Sequence, residues 1–505
     1  MNSKTYITVV MGIVIAKLLG FIREALFGRI YETSLQAEMY TQIFGLVTLL
    51  FTGIGVALST QVIIKLNKPE NSSIEAAKSC VSSFILKSIA YLSLVIVLLF
   101  FLAKPLTKLL FKEYSGELLD NAVKLTYIML PSLMFVVIAY IISGVLQNNK
   151  VFFIPSIISL PSNIILIFAL LGYEKNIYSI GILTTIGWFL HIIIQLPSFY
   201  KKGFRLIYTS QNSISAQKDR FNMNIWWIFI SNMMFQLCFI IDRSFVSGNS
   251  GSGLGALLSY ASTIFTTISS VFVVAMSSVV FPSISKNYEE GNIDYVKDLF
   301  GYIVTLMFFV FVPFILIASL FGKQIMCLVY NLSGTDAIVA GVCFTIYCLG
   351  ILGYLAQELV NKVFYLASNY NFTVIGSVLV IIFKCITNSI FVNNSAKGAI
   401  TATLLTTLLL SFYAIAAFIK LRFVIGNYLS KDIIKSIIKI LISGSSALIV
   451  YFVIKFFAPD LINSTTLTFM IPILICGIVY IACIIALGLH KQLIRNPKKE
   501  RSENN

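Results

Sequence analysis

Tyr302-Ile303-Val304-Thr305-Leu306-Met307-Phe308-Phe309-Val310-Phe311-Val312-Pro313-Phe314-Ile315-Leu316-Ile317-Ala318-Ser319-Leu320-Phe321 runs without a single charged side chain. About 20 such residues in a helix span the roughly 30 Å of bilayer hydrocarbon. The stretch is apolar almost throughout rather than at alternate positions, which selects a helix over a strand of a membrane barrel. Working outward, comparable runs centre near residues 14, 50, 93, 134, 162, 187, 235, 270, 308, 348, 380, 408, 446 and 477. About fourteen spans of this length account for most of the chain and leave only short loops. The expected fold class is therefore all-α: a polytopic membrane protein of about 14 transmembrane helices. Composition agrees, because the chain is 58% hydrophobic and only 11% charged, whereas a soluble domain is about a quarter charged.

The first apolar stretch continues past Lys17 into Gly20-Phe21-Ile22-Arg23-Glu24 without a small-residue cleavage site, so it reads as a retained helix rather than a signal peptide. The net charge of +16 does not point to nucleic acid, because the basic residues are spread over loops. Lys65, Lys68 and Lys78, then Lys201, Lys202, Arg205, Lys218 and Arg220, then Lys420, Arg422, Lys431 and Lys435 fall on the side shared with the basic tail. The opposite side carries about half as many, which by the positive-inside rule places both termini in the cytoplasm. The eight cysteines form no C-x-x-C pair and read as small apolar fillers.

An internal repeat organises the spans. The segment from Phe21-Ile22-Arg23-Glu24 to Val62-Ile63-Ile64-Lys65-Leu66-Asn67 has an echo about 220 residues later, from Phe239-Ile240-Ile241-Asp242-Arg243 to Pro282-Ser283-Ile284-Ser285-Lys286-Asn287. One copy holds about six spans, so both copies run the same way through the membrane, related by a pseudo-two-fold axis along its normal. The expected organisation is an N-lobe over 1–210, a C-lobe over 211–430, two further helices over 431–490 and a basic cytoplasmic tail over 491–505, with residues 201 to 221 joining two pseudo-symmetric lobes around a central cavity.

Charges inside spans are expensive and normally face a bundle interior or a watery cavity. Lys17 and Glu24 share a helix face with Gly20 between them, and Arg23 points about a third of a turn away. Glu38, Gln42, Gly45 and Thr52 form one polar stripe on the second span. Ser262, Thr266 and Ser269, beside Thr263, Thr267 and Ser270, form a weaker stripe on the eighth. These stripes suit the lining of a groove, although hydroxyls also serve plain helix packing. Glu358 and Lys362, four residues apart, read as mutually neutralising. Lys384 has no acid within a turn of its own helix, and Asp242 is its candidate partner. His191 reads as a helix-interface residue. Two histidines, no metal-ligand spacing, no nucleophile beside a base and no P-loop leave no support for an enzyme or an ATP-driven pump.

These residues also carry a resemblance. Lys17-Leu18-Leu19-Gly20-Phe21-Ile22-Arg23-Glu24 is similar to the first-helix motif R-x-x-G-F-x-R-[DE] of the lipid II flippases of the MurJ/MviN type, within the multidrug/oligosaccharidyl-lipid/polysaccharide exporter superfamily. Gly144-Val145-Leu146-Gln147-Asn148, Phe152-Phe153-Ile154-Pro155 and Asn163 resemble the junction of spans 4 and 5, and Gly187, Gln195 and Pro197 resemble span 6. Asp242-Arg243-Ser244-Phe245, Phe281-Pro282-Ser283-Ile284-Ser285 and Val363-Phe364-Tyr365 resemble parts of the second half.

The resemblance implies a flippase that carries an undecaprenyl-diphosphate-linked saccharide, lipid II foremost, from the inner to the outer leaflet of a bacterial cytoplasmic membrane by alternating access. A saccharide diphosphate cannot shed its hydration in hydrocarbon, and a polar groove with basic groups would remove that cost. Carried over onto this chain, the resemblance assigns substrate contact to Arg23, Glu24 and Glu38, with Gln42 on the same stripe as Glu38. Lys17 stands where the family has arginine, keeping the charge without the bidentate fork. Two further family arginines are absent: the chain reads Leu50-Phe51 and Ser262-Thr263 there. Another lipid-linked oligosaccharide, for exopolysaccharide, capsule or O-antigen, therefore stays open as cargo, as does a cation-coupled multidrug exporter.

Some relatives bind sodium through an aspartate that Asp242 resembles, and Asn388 and Thr403 resemble further ligands. Lys384 falls where a neutral ligand would be, so its ammonium is expected to stand in for sodium. Membrane potential then supplies the drive, at about 2.3 kcal/mol per charge per 100 mV. No cofactor is expected. The expected partners are the lipid-linked saccharide and the bilayer, with enzymes of cell-wall or polysaccharide synthesis as candidate protein partners of a monomer.

Overall fold

The computed structural model describes residues 3–66, 73–111, 114–172, 176–206, 223–247, 253–279, 284, 287–288, 290–367, 370–463 and 467–490. Lys68, Lys218 and Arg220, the end of the second repeat at Pro282-Ser283 and Ser285-Lys286, and the basic tail lie outside them, as does the side chain of Thr52. The described residues form helices and no strand.

In chain order the helices are α1 (Ser3–Tyr31), α2 (Leu35–Leu66), α3 (Ile74–Leu110), α4 (Gly116–Met129), α5 (Ser132–Asn148), α6 (Phe153–Ser156), α7 (Leu160–Leu171), α8 (Ile177–Ile193), α9 (Leu196–Lys201) and α10 (Met223–Val246). They continue with α11 (Leu254–Val279), α12 (Ile293–Tyr330), α13 (Gly334–Leu349), α14 (Ile351–Leu366), α15 (Tyr370–Phe391), α16 (Ala396–Ile425), α17 (Lys431–Phe457), α18 (Pro459–Asn463) and α19 (Met470–Ala486). Each of the fourteen expected centres lies within one of these helices. Ten spans among the described residues are long and apolar enough to cross a membrane, and α13 with α14, bent by 47°, make an eleventh. The apolar α19 is shorter, at 17 residues. The chain is a multi-pass membrane protein. Its outward faces carry large apolar side chains such as Leu94, Phe101, Phe168, Phe423 and Phe456, all more than half exposed, a surface that only lipid covers at no cost.

The chain forms two compact units, residues Met1–Ser259 with Ser377–Gly398, and Tyr260–Gly376 with Ala399–Asn505. In the first, α2 and α5 lie in close contact because small residues let their backbones meet. A Cβ on Gly144 would sit 2.7 Å from the Ser59 carbonyl oxygen, and one on Gly55 would meet the Tyr140 ring at 2.8 Å. The α7–α8 pair repeats the device, with Gly187 against Ser162.

In the second unit, α12 meets α13 at Gly322 and Gly341, where a Cβ on Gly341 would lie 2.6 Å from the Lys323 nitrogen. Helix α12 contains Pro313, which removes the hydrogen bond to the Phe309 carbonyl, and eight residues later it leaves helical geometry at Phe321 (φ −125°, ψ 17°). Val312, Ile440, Tyr480 and Ile484 join α12, α17 and α19 in one apolar cluster, and the Tyr480 hydroxyl donates to the Phe309 carbonyl at 2.8 Å.

Candidate functional site

Arg23 lies in the third quarter of α1 and is held from three directions. Its Nη1 donates to Asn163 Oδ1 of α7 at 3.2 Å, its guanidinium lies 5.0 Å from the centre of the Phe44 ring of α2, and its Nη2 pairs with the Glu24 carboxylate. The side chains of Arg23 and Glu24 keep 13% and 14% of their surface exposed, so the pair is sheltered yet reachable. Asn163 is fixed in turn, because its Nδ2 donates to the Ala16 carbonyl at 3.2 Å. Gly20 makes this possible: a Cβ there would already touch Asn163 at 3.5 Å, so any larger side chain would push the amide away. Lys17, one turn earlier, is exposed. Behind Arg23 the rings of Tyr40 and Phe44 stack at 5.6 Å and Trp188 lies tilted against Phe44 at the same spacing, and Tyr40 exchanges a 2.8 Å hydrogen bond with Thr184.

Glu38 and Gln42 do not join this cluster. At about 100° per residue, the face of α2 that carries 38, 42 and 45 lies roughly opposite the face that carries Tyr40 and Phe44. Glu38 is 1% exposed; its carboxylate accepts the Tyr114 hydroxyl at 3.2 Å and the Gly255 backbone N–H at 3.3 Å. The second contact caps the first turn of α11, where free amides favour a negative group. Burial, and then the neighbouring Glu38 carboxylate, push the Tyr114 phenol well above its ordinary range, which keeps it a hydrogen-bond donor. Gln42 Nε2 lies 3.5 Å from the carbonyls of Leu110 and Ile240.

Arg243 completes this second network, donating to the carbonyls of Phe239 and Thr41 at 3.2 and 3.1 Å and to Ser259 Oγ at 3.3 Å. Gly45 makes room for it, because a Cβ there would sit 3.1 and 3.2 Å from the guanidinium nitrogens. Gly45→Val is therefore expected to push Arg243 off its acceptors and cost about 1–3 kcal/mol, read as a lower melting temperature of the purified protein with Gly45→Ala in between.

A third group lies between α10 and α15. Lys384 Nζ is 2.5 Å from Asp242 Oδ1, with both side chains 0% exposed, and Asn388 Nδ2 donates to the same oxygen at 2.9 Å. Asn388 Oδ1 is buried with no hydrogen-bond partner among the described residues. Thr403 belongs to the second unit, where it is fully buried and its hydroxyl returns to the Ala399 carbonyl at 2.8 Å.

The α11 hydroxyls also turn back on their own helix. Ser269 donates to the Phe265 carbonyl at 2.6 Å, Thr266 to Thr263 and Ser270 to Thr267. His191 Nε2 meets Ser162 Oγ at 2.9 Å between α8 and α7. Glu358 and Lys362 act on each other electrostatically along α14. Asn163, Phe44 and Tyr114 are the contributors that charge and spacing alone do not single out. Asn163 is uncharged and enters the sequence reading only through the family resemblance of its segment, and Phe44 and Tyr114 lie among many aromatic residues.

A family model described as "Lipid II flippase MurJ" matches residues 34–472. The chain belongs to the lipid II flippase MurJ family. Among curated members, the probable lipid II flippase MurJ of Buchnera aphidicola subsp. Baizongia pistaciae is 22% identical over 392 residues, covering 75% of each chain. The lipid II flippase MurJ of Burkholderia cenocepacia is 21% identical over 412 residues, covering 77% of this chain and 78% of its own. The MurJ fold is seen directly in a solved lipid II flippase MurJ in an inward closed conformation, which superposes with a TM-score of 0.79 at 21% identity over 97% of this chain and all of that one. An inward-facing multidrug transporter of the MATE family matches less well, at a TM-score of 0.68 and 12% identity over 82% of this chain and 98% of its own. The MurJ family thus contributes the fold and the transporter class.

Proposed function

We propose that this chain moves lipid II, the undecaprenyl-diphosphate-linked peptidoglycan precursor, from the inner to the outer leaflet of the cytoplasmic membrane. The carrying observation is Arg23: a fork-shaped cation on α1, aligned by Asn163 and Phe44 and still partly exposed. A guanidinium so held matches two oxygens of a diphosphate, and its alignment before binding reduces the ordering cost. Exposed Lys17 adds a second positive charge on the same helix. The family provides the cargo class, and the lobes at 1–210 and 211–430, rocking about the site, provide alternating access. Both termini lie in the cytoplasm on this reading, in keeping with the loop charges.

On the same reading the Asp242–Lys384 pair replaces a coupling ion. The ammonium already neutralises the carboxylate from 2.5 Å, so transport proceeds without sodium and draws on membrane potential. Flipping rates that are equal in sodium and potassium buffers are the expected result, and a sodium requirement in the parent chain overturns this part.

The test of cargo is replacement in a bacterium depleted of its own lipid II flippase, with lipid II at the outer surface as the readout. Restored surface lipid II supports the proposal. Uncharged Leu50-Phe51 and Ser262-Thr263 favour a second reading, a different lipid-linked oligosaccharide, and export of that lipid without lipid II selects it.

A further inference from the structure

We propose that Glu24 is an exchangeable internal anion: its carboxylate fills the Arg23 fork when no cargo is bound, and the cargo diphosphate must displace it. The inference rests on the reading of Arg23 as the diphosphate site and assigns Glu24 the opposite role, competitor rather than ligand.

The contacts of the two side chains are unequal. Besides Glu24, Arg23 meets the Asn163 amide oxygen and the Phe44 ring, and both are neutral groups that stay in place when an anion leaves. The contact described for the Glu24 carboxylate is Arg23. Neighbouring residues on a helix point about 100° apart and do not ordinarily face each other. The pair therefore forms only because both long side chains swing to one place, and the Glu24 arm can swing away without moving a helix. A carboxylate and a phosphate group offer the guanidinium the same paired oxygens, so one can replace the other on an unmoved Arg23.

The exchange has two physical consequences. Without cargo, the sheltered Arg23 charge is neutralised by Glu24, and that avoids the cost of leaving an uncompensated cation in a membrane protein's interior. With cargo bound, the displaced Glu24 carboxylate stays within one side-chain length of the diphosphate and repels it. Affinity is thereby held low enough for release on the far side, the balance any carrier of a charged group must keep. Glu24 sets that balance, and Arg23 alone would bind too tightly to turn over quickly.

The experiment uses the full-length protein in lipid nanodiscs and undecaprenyl diphosphate as the probe, with dissociation constants for the parent, Glu24→Gln, Glu24→Ala and Arg23→Gln. Tightening by about tenfold is expected in both Glu24 variants, the size of effect that follows from removing one like charge beside a bound anion in a partly solvated site. Repeated flipping in vesicles is expected to slow in the same variants, because release becomes limiting. A merely structural Glu24 predicts weaker binding on its removal. Unchanged or weaker binding in Glu24→Gln and Glu24→Ala, with the parent still binding and Arg23→Gln not, overturns the exchange role alone. Failure of the parent to bind, or equal binding by Arg23→Gln, overturns the diphosphate-site reading and the exchange role together. Two replacements of different shape guard against a folding defect in either one.

Discussion

Arg23→Gln is expected to abolish rescue of a flippase-depleted bacterium while the protein still reaches the membrane at parental levels. The substitution keeps a neutral hydrogen-bonding amide on a shorter side chain but deletes the charge and the paired donors. Truncating one side of a buried, hydrogen-bonded charge pair costs about 2–5 kcal/mol, which is roughly a thirtyfold to several-thousandfold loss at 1.4 kcal/mol per decade. Folding is expected to survive, because the Glu24 left behind is 14% exposed and reaches water. Arg23→Lys sharpens the test. Lysine restores the charge as a point rather than a fork and lacks the planar face that lies over Phe44, so it is expected to recover only a small part of the activity. Surface-exposed lipid II and membrane abundance, measured on the same cells, separate loss of transport from loss of protein.

Lys384→Met carries the largest expected effect on stability. It removes the ammonium from the fully buried Asp242 carboxylate, to which the Asn388 amide still donates. Breaking a buried pair by removing one partner typically costs about 3–5 kcal/mol, whereas replacing both partners is often near neutral. Lys384→Met alone is therefore expected to lower the melting temperature of the detergent-solubilised protein by several degrees, and the double variant with Asp242→Asn to recover most of the loss. The double variant also isolates the interaction, since the two side chains touch and their separate effects cannot add. Equal melting temperatures for Lys384→Met and the parent would remove the case for a working ion pair.

The helices were legible because lipid demands long apolar runs, and those runs fix span positions without any knowledge of packing. The charged motif around Arg23 was legible for the same reason, since a charge in such a run stands out. Side-chain direction across helices was less so. Glu38 and Gln42 share a stripe that sequence alone reads as groove lining, yet their face of α2 meets Tyr114, α10 and the start of α11, while Tyr40 and Phe44 face Arg23. Periodicity gives the angle between two faces of one helix but not which neighbour each face meets. The family resemblance singles out Asn163, but its contact with Arg23 was hidden for another reason. Its role depends on the gap left by Gly20 on a different helix some 140 positions away, and no local pattern encodes that distance.

The cap on α11 makes part of the backbone a built-in reporter. Gly253, just before that helix, has no side-chain oxygen to offer its first amides, and Glu38 supplies an acceptor from α2 instead. Deuterium uptake at the Gly255 amide should consequently track the separation of α2 from the start of α11, staying slow while the carboxylate is in place and rising sharply when it withdraws. Mass spectrometry of the unlabelled, unmutated protein could then follow this movement by a single peptide, with the start of α17, capped by its own Ser430, as the internal standard.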